Sequence, residues 1–457
     1  MKQAQKLMFN TALLTASSLV MRIIGLAYQV WLAGRIGPAG IGLFQLVMSV
    51  SFLCSTFAIS GIRFAATRLI SEEIGLNRPG GVSKAMQRCI AYSLFFGISA
   101  MVLLFAGAEP IGFLWVGDAR TVLSLRILSV SLPFISLSSV FSGYFTATGR
   151  VYKSAAVQVS EQLVRIALVA AFLELAPAGD LEKSCAAVVA GGSTAEVFSF
   201  LVFVAIYFLD RRRHGRPGAY SPRLTTRMFG VALPLAVSAY ARSALSTLQN
   251  LLVPRGLKSA GLNADAALSG YGIIQGMVFP IIFFPACVVF ALAELIVPEL
   301  TEAQMAGKKE YISRSVSSLL RKCLLFSMVS GGFIFISADA LGWLVYKSTE
   351  AGHYIRIIAL LIPVMYMDIV TDGCLKGLGL MMWNMAYNII DSLLGVILVV
   401  LLLPRWALNG YIGVIFITEL VNFALSIYRL RKVADIRLFV LPQRKNKIAP
   451  APARYKR

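Results

Sequence analysis

Residues 8–35 read MFNTALLTASSLVMRIIGLAYQVWLAGR, and residues 228–255 read MFGVALPLAVSAYARSALSTLQNLLVPR. The two stretches align without a gap at a shift of 220 residues, and 10 of their 28 positions are identical. Shared hydrophobicity explains a few of these matches, but it does not explain a serine, a glutamine and two arginines in register. Self-similarity of this kind predicts an internal repeat, so we expect the chain to consist of two related halves.

The repeat continues along the rest of the chain. After the connection 256–269, which carries an insertion, the shift becomes 230 residues. The aligned pairs are Gln45 with Gln275, Arg126 with Arg356, Gly143 with Gly373, Glu161 with Asp391 and, at a shift of 223, Glu196 with Glu419. Each half is expected to hold six helices. Because six is even, both halves begin on the same side of the membrane, as in the parallel repeats of some transporters.

The composition identifies a membrane protein. The chain is 58% apolar and only 14% charged, and several apolar runs exceed the ~18 residues that span a bilayer as a helix. We predict an all-α polytopic membrane protein with about twelve transmembrane helices in two pseudo-symmetric six-helix lobes. The predicted spans are 8–34, 39–62, 89–108, 122–147, 154–176, 185–209, 227–253, 270–297, 316–338, 354–375, 383–403 and 408–428.

The predicted domains follow from these spans. They are an N-terminal lobe over 1–210, a basic linker over 211–225, a C-terminal lobe over 226–430 and a basic tail over 431–457. The first apolar run is too long for a signal-peptide core and no cleavage pattern follows it, so we interpret it as a retained helix.

The basic residues predict the orientation. Most of the 43 Lys and Arg residues fall in one set of connections, which includes the linker and the tail. Cytoplasmic loops carry such an excess, so both termini are expected in the cytoplasm. The net charge of +21 then indicates binding to anionic lipid headgroups and not to nucleic acid. The six cysteines are scattered and the two histidines lie on opposite sides, so we expect no metal site and no cofactor.

A polar stripe follows the first helix. Ser18, Arg22 and Gln29 recur on one face at helical spacing, and the repeat places Ser238, Arg242 and Gln249 in the same pattern. An arginine at mid-span costs about 2.5–3.5 kcal/mol on insertion scales. Two such arginines predict a water-filled cavity or a partner.

The chemistry of this stripe predicts an anion site between the halves. No acidic residue lies at helical spacing from Arg22 or Arg242. The guanidinium fork matches phosphate oxygens in a bidentate way, so two arginines from related helices could clasp a diphosphate. Gln29, Gln249, Gln45 and Gln275 are expected to hydrogen-bond sugar or amide groups. In the alternative interpretation, both arginines pair with acids on other helices and only stabilise the fold.

Other ionisable residues lie within the predicted spans. Glu161 and Arg165 are four residues apart, which predicts a structural ion pair. Asp391 lies near Asn388, and Asn250 is expected to reach the same interior. Carboxylate and amide oxygens are ligands for a hard cation such as sodium, so these three residues form a candidate site for cation coupling. Asp368 and Asp372 lie near Lys376, and we interpret them as structural.

Five segments carry a family resemblance. They are SSLVMRIIGLAYQVWLAGRIGPAGIGLFQL, SGIRFAATRLISEE, VQVSEQLVRI, IVPELTEA and NIIDSLLGVIL. In this order the segments resemble the stage V sporulation protein B-like polysaccharide biosynthesis flippases of the multidrug/oligosaccharidyl-lipid/polysaccharide exporter superfamily. The resemblance covers essentially the whole chain. It implies a V-shaped bundle with a central cationic cavity that moves an undecaprenyl-diphosphate-linked sugar across the plasma membrane by alternating access.

The resemblance also extends to the lipid II flippases, with departures. Arg22 falls on their first-helix cavity arginine. Tyr28 and Gln29 stand where they have an arginine–aspartate pair, Gln275 stands where they have an eighth-helix arginine, and Asn250 stands where an acid is common. No room is left for the two further C-terminal spans that are common among them. The resemblance therefore implies a related lipid-linked glycan rather than lipid II itself.

The sequence as a whole predicts a monomeric flippase for a lipid-linked oligosaccharide or cell-wall precursor. Coupling of transport to sodium ions or protons is left open. A cation-coupled multidrug exporter on the same fold is the first alternative, although acidic cavity residues would suit it better than paired arginines. A non-transporting scaffold of envelope synthesis is the second. We expect no enzyme, because the predicted outer loops are short and carry no acid/base set.

Overall fold

All regular secondary structure in the described part of the chain is helical. The computed structural model describes residues 2–76, 78–177, 179–214 and 223–434, with side chains described outside 2–18, 79 and 211–214. The α-helices are α1 Lys2–Ile59, α2 Ile62–Gly75, α3 Pro79–Pro110, α4 Val122–Ala147, α5 Val151–Leu175, α6 Leu181–His214, α7 Leu224–Ser259, α8 Ala264–Gly272, α9 Phe279–Phe283, α10 Ala286–Met305, α11 Lys309–Tyr346, α12 Thr349–Ala359, α13 Ile362–Gly377 and α14 Met381–Ala434. Short π-helical turns cover Ile111–Val116 and Ile273–Val278, and a 3₁₀ turn covers Ala119–Thr121.

The helices confirm a multi-pass membrane protein. Within the described ranges, nine helical stretches are long and apolar enough to cross a bilayer, or ten if α12 and α13, which meet at a 59° bend, form one span. Two of these stretches contain a kink, at Gly37 in α1 and at Ala407 in α14. Gly37 has φ 70°, which glycine adopts without steric cost, and it lies between the first two predicted spans. The number twelve stays a prediction.

Helix packing separates the chain into two groups. Helices α2 to α6 pack mainly on one another, as do α10 to α14, whereas α1 and α7 contact each other and helices of both groups. The largest buried apolar cluster extends through both groups. Residues 215–222 of the predicted linker and 435–457 of the predicted tail lie outside the described residues.

Two ion pairs repeat at the shift found in the sequence. Arg126 Nη2 lies 2.6 Å from Glu109 Oε1, and Arg356 Nη2 lies 2.5 Å from Asp339 Oδ2. Each pair joins two successive helices, α3 to α4 and α11 to α12, and both residues of the pair are shifted by 230 positions. The repeat is therefore present in contacts as well as in residue identities.

A close helix crossing, formed by Gly42 of α1 and Gly272 of α8, lies between the two halves. A Cβ atom on Gly42 would lie 2.1 Å from the carbonyl oxygen of Leu268. A Cβ atom on Gly272 would lie 2.0 Å from that of Pro38. Pro38 and Leu268 are themselves related by the repeat. The two backbones approach this closely only because neither crossing residue has a side chain.

Charged loop contacts join the halves near this crossing. Arg120 Nη2 lies 2.8 Å from Asp118 Oδ2 and 2.9 Å from Asp265 Oδ1, and Lys258 Nζ donates to the carbonyl of Gly117 at 3.0 Å. Burial raises the pKa of the Asp118 carboxyl, but hydrogen bonds from Arg120 outweigh burial and hold the pKa below its ordinary value. We call this end of the bundle the loop end, and the opposite end, where α6 ends and α7 begins, the linker end.

The glycine crossing makes a testable prediction. Gly42→Ala and Gly272→Ala each place a methyl group against a backbone carbonyl, so the two helices must separate. We expect either change to lower the free energy of unfolding by about 1–3 kcal/mol, the usual cost of overpacking. Gly34→Ala, where an added Cβ has no neighbour within 4 Å, is the matched control and should not destabilise. Equal unfolding free energies for all three variants, measured by denaturation in mixed micelles, would contradict the crossing.

Candidate functional site

Arg22 contacts the second half of the chain. Its Nη2 donates to Glu294 Oε1 at 3.3 Å, and its guanidinium carbon lies 4.1 Å from the centre of the Phe290 ring. Both partners belong to α10, one helical turn apart. The side chains of Arg22 and Glu294 are 39% and 44% exposed. Arg22 therefore pairs with an acid on another helix, as in the alternative interpretation. The pair is partly exposed and is not buried in the core.

Arg242 has a different environment from its repeat counterpart. It is exposed on α7, and within the described residues no ion pair or hydrogen bond holds its guanidinium. Ser238, one turn earlier, is half-buried and donates to the carbonyl of Leu235 at 3.0 Å. The side chain of Ser18 lies outside the described residues. An accessible, uncompensated arginine remains available to a ligand.

Two of the four predicted glutamines meet across the halves. Gln29 Nε2 donates to the backbone carbonyl of Gln275 at 3.4 Å, and Gln275 Nε2 donates to the hydroxyl of Tyr411 at 2.6 Å. Gln249 instead packs at Gly395 of α14, where an added Cβ would lie 2.4 Å from its Nε2. Gln45 is half-buried, and its carbonyl accepts from Ser49. The repeat thus supplies equivalent glutamines whose partners differ.

Asn250 takes part in the contact between α1 and α7. Its Nδ2 donates to Ser49 Oγ at 3.2 Å, and the hydroxyl of Thr247 donates to the carbonyl of Ser49 at 2.9 Å. The structure therefore gives Asn250 a partner in the first half, on α1, and not among the acids of the last helices. Asn388 donates to the side-chain oxygen of Asn384 at 3.1 Å.

An acid–arginine network occupies the first half. Arg165 Nη2 lies 2.5 Å from Glu161 Oε1, its neighbour on α5, and 2.8 Å from Glu196 Oε1 on α6. All three side chains are largely buried. The predicted pair of Glu161 and Arg165 is thus part of a three-residue network, in which one guanidinium compensates two carboxylates.

The second half contains a related cluster without an arginine. Asp391 and Glu419 are the repeat counterparts of Glu161 and Glu196, whereas Gly395 stands at the position of Arg165. Two further acids, on α13, interact electrostatically with this pair of carboxylates. The members of this C-terminal acid cluster are Asp368, Asp372, Asp391 and Glu419.

Polar atoms in this cluster are only partly satisfied. Asn422 Nδ2 donates to Asp368 Oδ2 at 2.9 Å. The other oxygen of Asp368, like one oxygen each of Asp372 and Asp391, is buried without a hydrogen-bond partner in the described residues. Lys376 acts on Asp372 electrostatically, but no ion pair within 4.0 Å joins them in the described part. A buried group of carboxylates with unused oxygens favours a proton or a bound cation.

Sequence reasoning did not find four of these residues as site residues, and it noted Glu419 only as the repeat counterpart of Glu196. Glu294 had no assigned role, and Asp368 and Asp372 were interpreted as structural. The signal that identifies them is departure from the repeat. Asp368 and Asp372 replace Ser138 and Ser142 of the first half.

The Glu161–Arg165–Glu196 network makes a prediction about stability. Arg165→Met leaves two largely buried carboxylates without their cation, so we expect it to lower the free energy of unfolding by about 3–5 kcal/mol. Arg314→Met removes an exposed i,i+4 pair with Glu310 and should have little effect. Denaturation in mixed micelles compares the two variants. A change no larger for Arg165→Met than for Arg314→Met would show that the network does not neutralise these acids.

Comparison with known families and proteins gives consistent matches. A family model described as polysaccharide biosynthesis protein matches residues 7–290, and a second model, MatE, matches residues 257–401. Stage V sporulation protein B of Bacillus subtilis (strain 168) is 26% identical over 89% of this chain and 80% of its own length. Lipid II flippase MurJ of the same organism is 22% identical over 70% of this chain and 62% of its own length.

Solved structures share the fold. An inward-facing multidrug resistance MATE family transporter of the MOP superfamily superposes with TM-score 0.69 at 15% identity, over 92% of this chain and 99% of its own. The inward closed conformation of lipid II flippase MurJ superposes with TM-score 0.69 at 13% identity, over 91% of this chain and 87% of its own. These two structures share one architecture with the described helices.

Proposed function

The chain belongs to the polysaccharide biosynthesis protein family, and we propose that it is a flippase for a lipid-linked glycan. Its relatives include stage V sporulation protein B and a lipid II flippase, and the second of these supports membrane transport of a lipid-linked molecule. The finer proposal is that it moves an undecaprenyl-diphosphate-linked oligosaccharide or cell-wall precursor across the bacterial plasma membrane by alternating access.

The observation that carries this proposal is an accessible arginine in each half, on the two helices that contact both groups. Arg22 is 39% exposed and Arg242 is exposed on α7. Charged side chains within spans face the bundle interior or a water-filled cavity, because lipid cannot solvate them. A diphosphate offers oxygens to both guanidinium groups, and charge-assisted bidentate bonds are the strongest that arginine makes. In this proposal the lipid tail stays in the bilayer while the headgroup crosses.

Polar side chains that follow the arginines along α1 and α7 suit the glycan. The Gln29–Gln275–Tyr411 chain joins the two halves through amide and hydroxyl groups, and sugars are recognised by donors and acceptors of this kind. Gln249, Gln45, Ser18 and Ser238 complete the proposed lining. Each of these side chains can donate and accept, so the lining tolerates different hydroxyl patterns.

The proposed energy source is a cation that binds the C-terminal acid cluster. The first half compensates its acids with Arg165, whereas the second half has Gly395 there and two additional carboxylates. Sodium or protons would supply the missing positive charge. Asp391 and Asn388 remain in this proposal, and Asp368 and Glu419 join them. Asn250, which contacts Ser49, would report on the movement of α7 against α1 instead.

The proposed orientation places the linker end in the cytoplasm. The 211–225 segment and the tail carry many of the basic residues, and such residues anchor to anionic headgroups on the cytoplasmic leaflet. A monomer suffices for this mechanism, because both arginines belong to one chain.

A multidrug exporter is the second candidate. The same fold occurs in a MATE family transporter, and four clustered carboxylates would suit an organic cation. That function predicts transport of cationic drugs and no requirement for the arginines.

The diphosphate site makes a transport prediction. We expect Arg22→Ala combined with Arg242→Ala to reduce the initial rate of flipping by at least about tenfold, because each lost charge-assisted hydrogen bond costs roughly 1.5–3 kcal/mol. Purified protein is reconstituted into liposomes that contain a fluorescent prenyl-diphosphate glycan. A membrane-impermeant quencher then reports the movement of this lipid across the membrane. Arg314→Ala on α11 is the matched control. A double variant that transports at the wild-type rate contradicts the site, and a wild type that moves only organic cations favours the exporter.

The acid cluster makes a coupling prediction. Asp391→Asn removes one carboxylate, and Glu419→Gln removes a second carboxylate that acts on it electrostatically. Both changes should abolish the response of the flipping rate to sodium and proton gradients. Glu161→Gln, in the compensated network of the first half, should retain it. The rate is measured with each gradient imposed separately across the liposome membrane. Gradient responses that survive both substitutions would exclude this cluster as the coupling site.

A further inference from the structure

The contact between Arg22 and Glu294 has the properties of a ligand-exchange site. We propose that Glu294 is a built-in competitor of the anionic ligand: it occupies Arg22 when the site is empty and is displaced when phosphate oxygens arrive. This inference rests on the proposed function for the identity of the ligand. The inference gives Glu294 two roles. It sets the affinity of the site for the anionic ligand, and it links ligand binding to the separation of the two halves.

The geometry of the pair favours exchange. Arg22 and Glu294 share one hydrogen bond of 3.3 Å, longer than the roughly 2.7–2.9 Å of a strong charge-assisted bond. Both side chains are more than a third exposed. Arg165, in contrast, holds two carboxylates at 2.5 and 2.8 Å and is less exposed. Exposed pairs with one contact contribute little to stability, so a bidentate anion can replace the carboxylate.

Phe290 keeps the guanidinium in place during exchange. Its ring lies 4.1 Å from the guanidinium carbon of Arg22, one turn before Glu294 on the same face of α10. The cation–π contact uses the face of the guanidinium plane and leaves its edge, where the N–H donors lie, to the anion. Loss of the Glu294 contact therefore does not release Arg22 from its position.

The repeat shows that this fold does not need an acid here. At the shift of 230 residues, Glu294 corresponds to Phe64, which is exposed. In the described residues, Arg242 has no carboxylate partner comparable to Glu294. Glu294 is an acid that the equivalent position of the other half lacks, so the fold does not require it. Its ion pair with Arg22 joins it to the arginine assigned to the ligand.

Displacement has a mechanical consequence. The pair joins α1 of the first half to α10 of the second, so exchange removes one contact between the halves. The displaced carboxylate of Glu294 then lies beside a bound anion of the same sign, and the two repel. Binding of the ligand therefore weakens the contact between α1 and α10 at Glu294, while the Phe290 ring still holds the guanidinium of Arg22.

Pyrophosphate titration tests this inference. The full-length protein in nanodiscs is titrated with inorganic pyrophosphate by calorimetry, as wild type, Glu294→Gln and Glu302→Gln. Glu302 is an exposed acid on the same helix and serves as the matched control. Removing the competing charge should tighten binding by about fivefold in Glu294→Gln, the effect of one weak exposed pair, and Glu302→Gln should match the wild type. Adding Arg22→Ala to Glu294→Gln should abolish the gain.

The outcomes separate this inference from the flippase proposal. Unchanged or weaker binding by Glu294→Gln overturns the role of Glu294, even if the wild type flips lipid-linked glycans. No measurable binding by either protein overturns it as well. Tighter binding that depends on Arg22 supports it, even in a protein that flips no glycan in liposomes. A purely structural Glu294 would lower the thermal midpoint of Glu294→Gln without raising affinity.

Discussion

A charge within an apolar helical bundle must be compensated or hydrated, and this constraint organises the whole molecule. The described helices satisfy it in three ways. Arg165 is compensated by two carboxylates, which stabilises the fold. The C-terminal acid cluster has unused buried oxygens, for which we propose a mobile cation that couples transport to a gradient. Arg22 has one loose, exposed partner, and we propose that the anionic ligand replaces it.

Duplication explains where these differences lie. Contacts that set the architecture are retained in both halves, including the Arg126 and Arg356 ion pairs and the crossing at Gly42 and Gly272. Two groups assigned to function have diverged, since Gly395 stands at the position of an arginine and Glu294 at that of a phenylalanine, whereas Arg22 and Arg242 are retained. Asymmetry between the halves is therefore a second signature of function in this chain, beside the retained arginine pair. If the acids of both halves were compensated in the same way, neither half would need a bound cation more than the other.

The sequence predicted the features that depend on local pattern. Apolar length identified the membrane class, the repeat register aligned Arg126 with Arg356, whose ion pairs are equivalent, and the kink at Gly37 falls between two predicted spans. The partner of Arg22 could not be predicted, because Glu294 is 272 residues away and hydrophobicity does not fix the rotation of one helix against another. Asp372 was interpreted as structural for the same reason. Its spacing from Lys376 can be read from the sequence, but the packing of α13 on α14 cannot.

The central claim is that the paired arginines hold a diphosphate. Mass spectrometry of the lipids that co-purify with the protein, compared with those of the Arg22→Ala, Arg242→Ala double variant, tests it most directly. The account predicts a prenyl-diphosphate lipid enriched with the wild type and depleted from the variant, with bulk phospholipids unchanged. Equal recovery of that lipid from both proteins, or its absence from the wild type, would contradict the account.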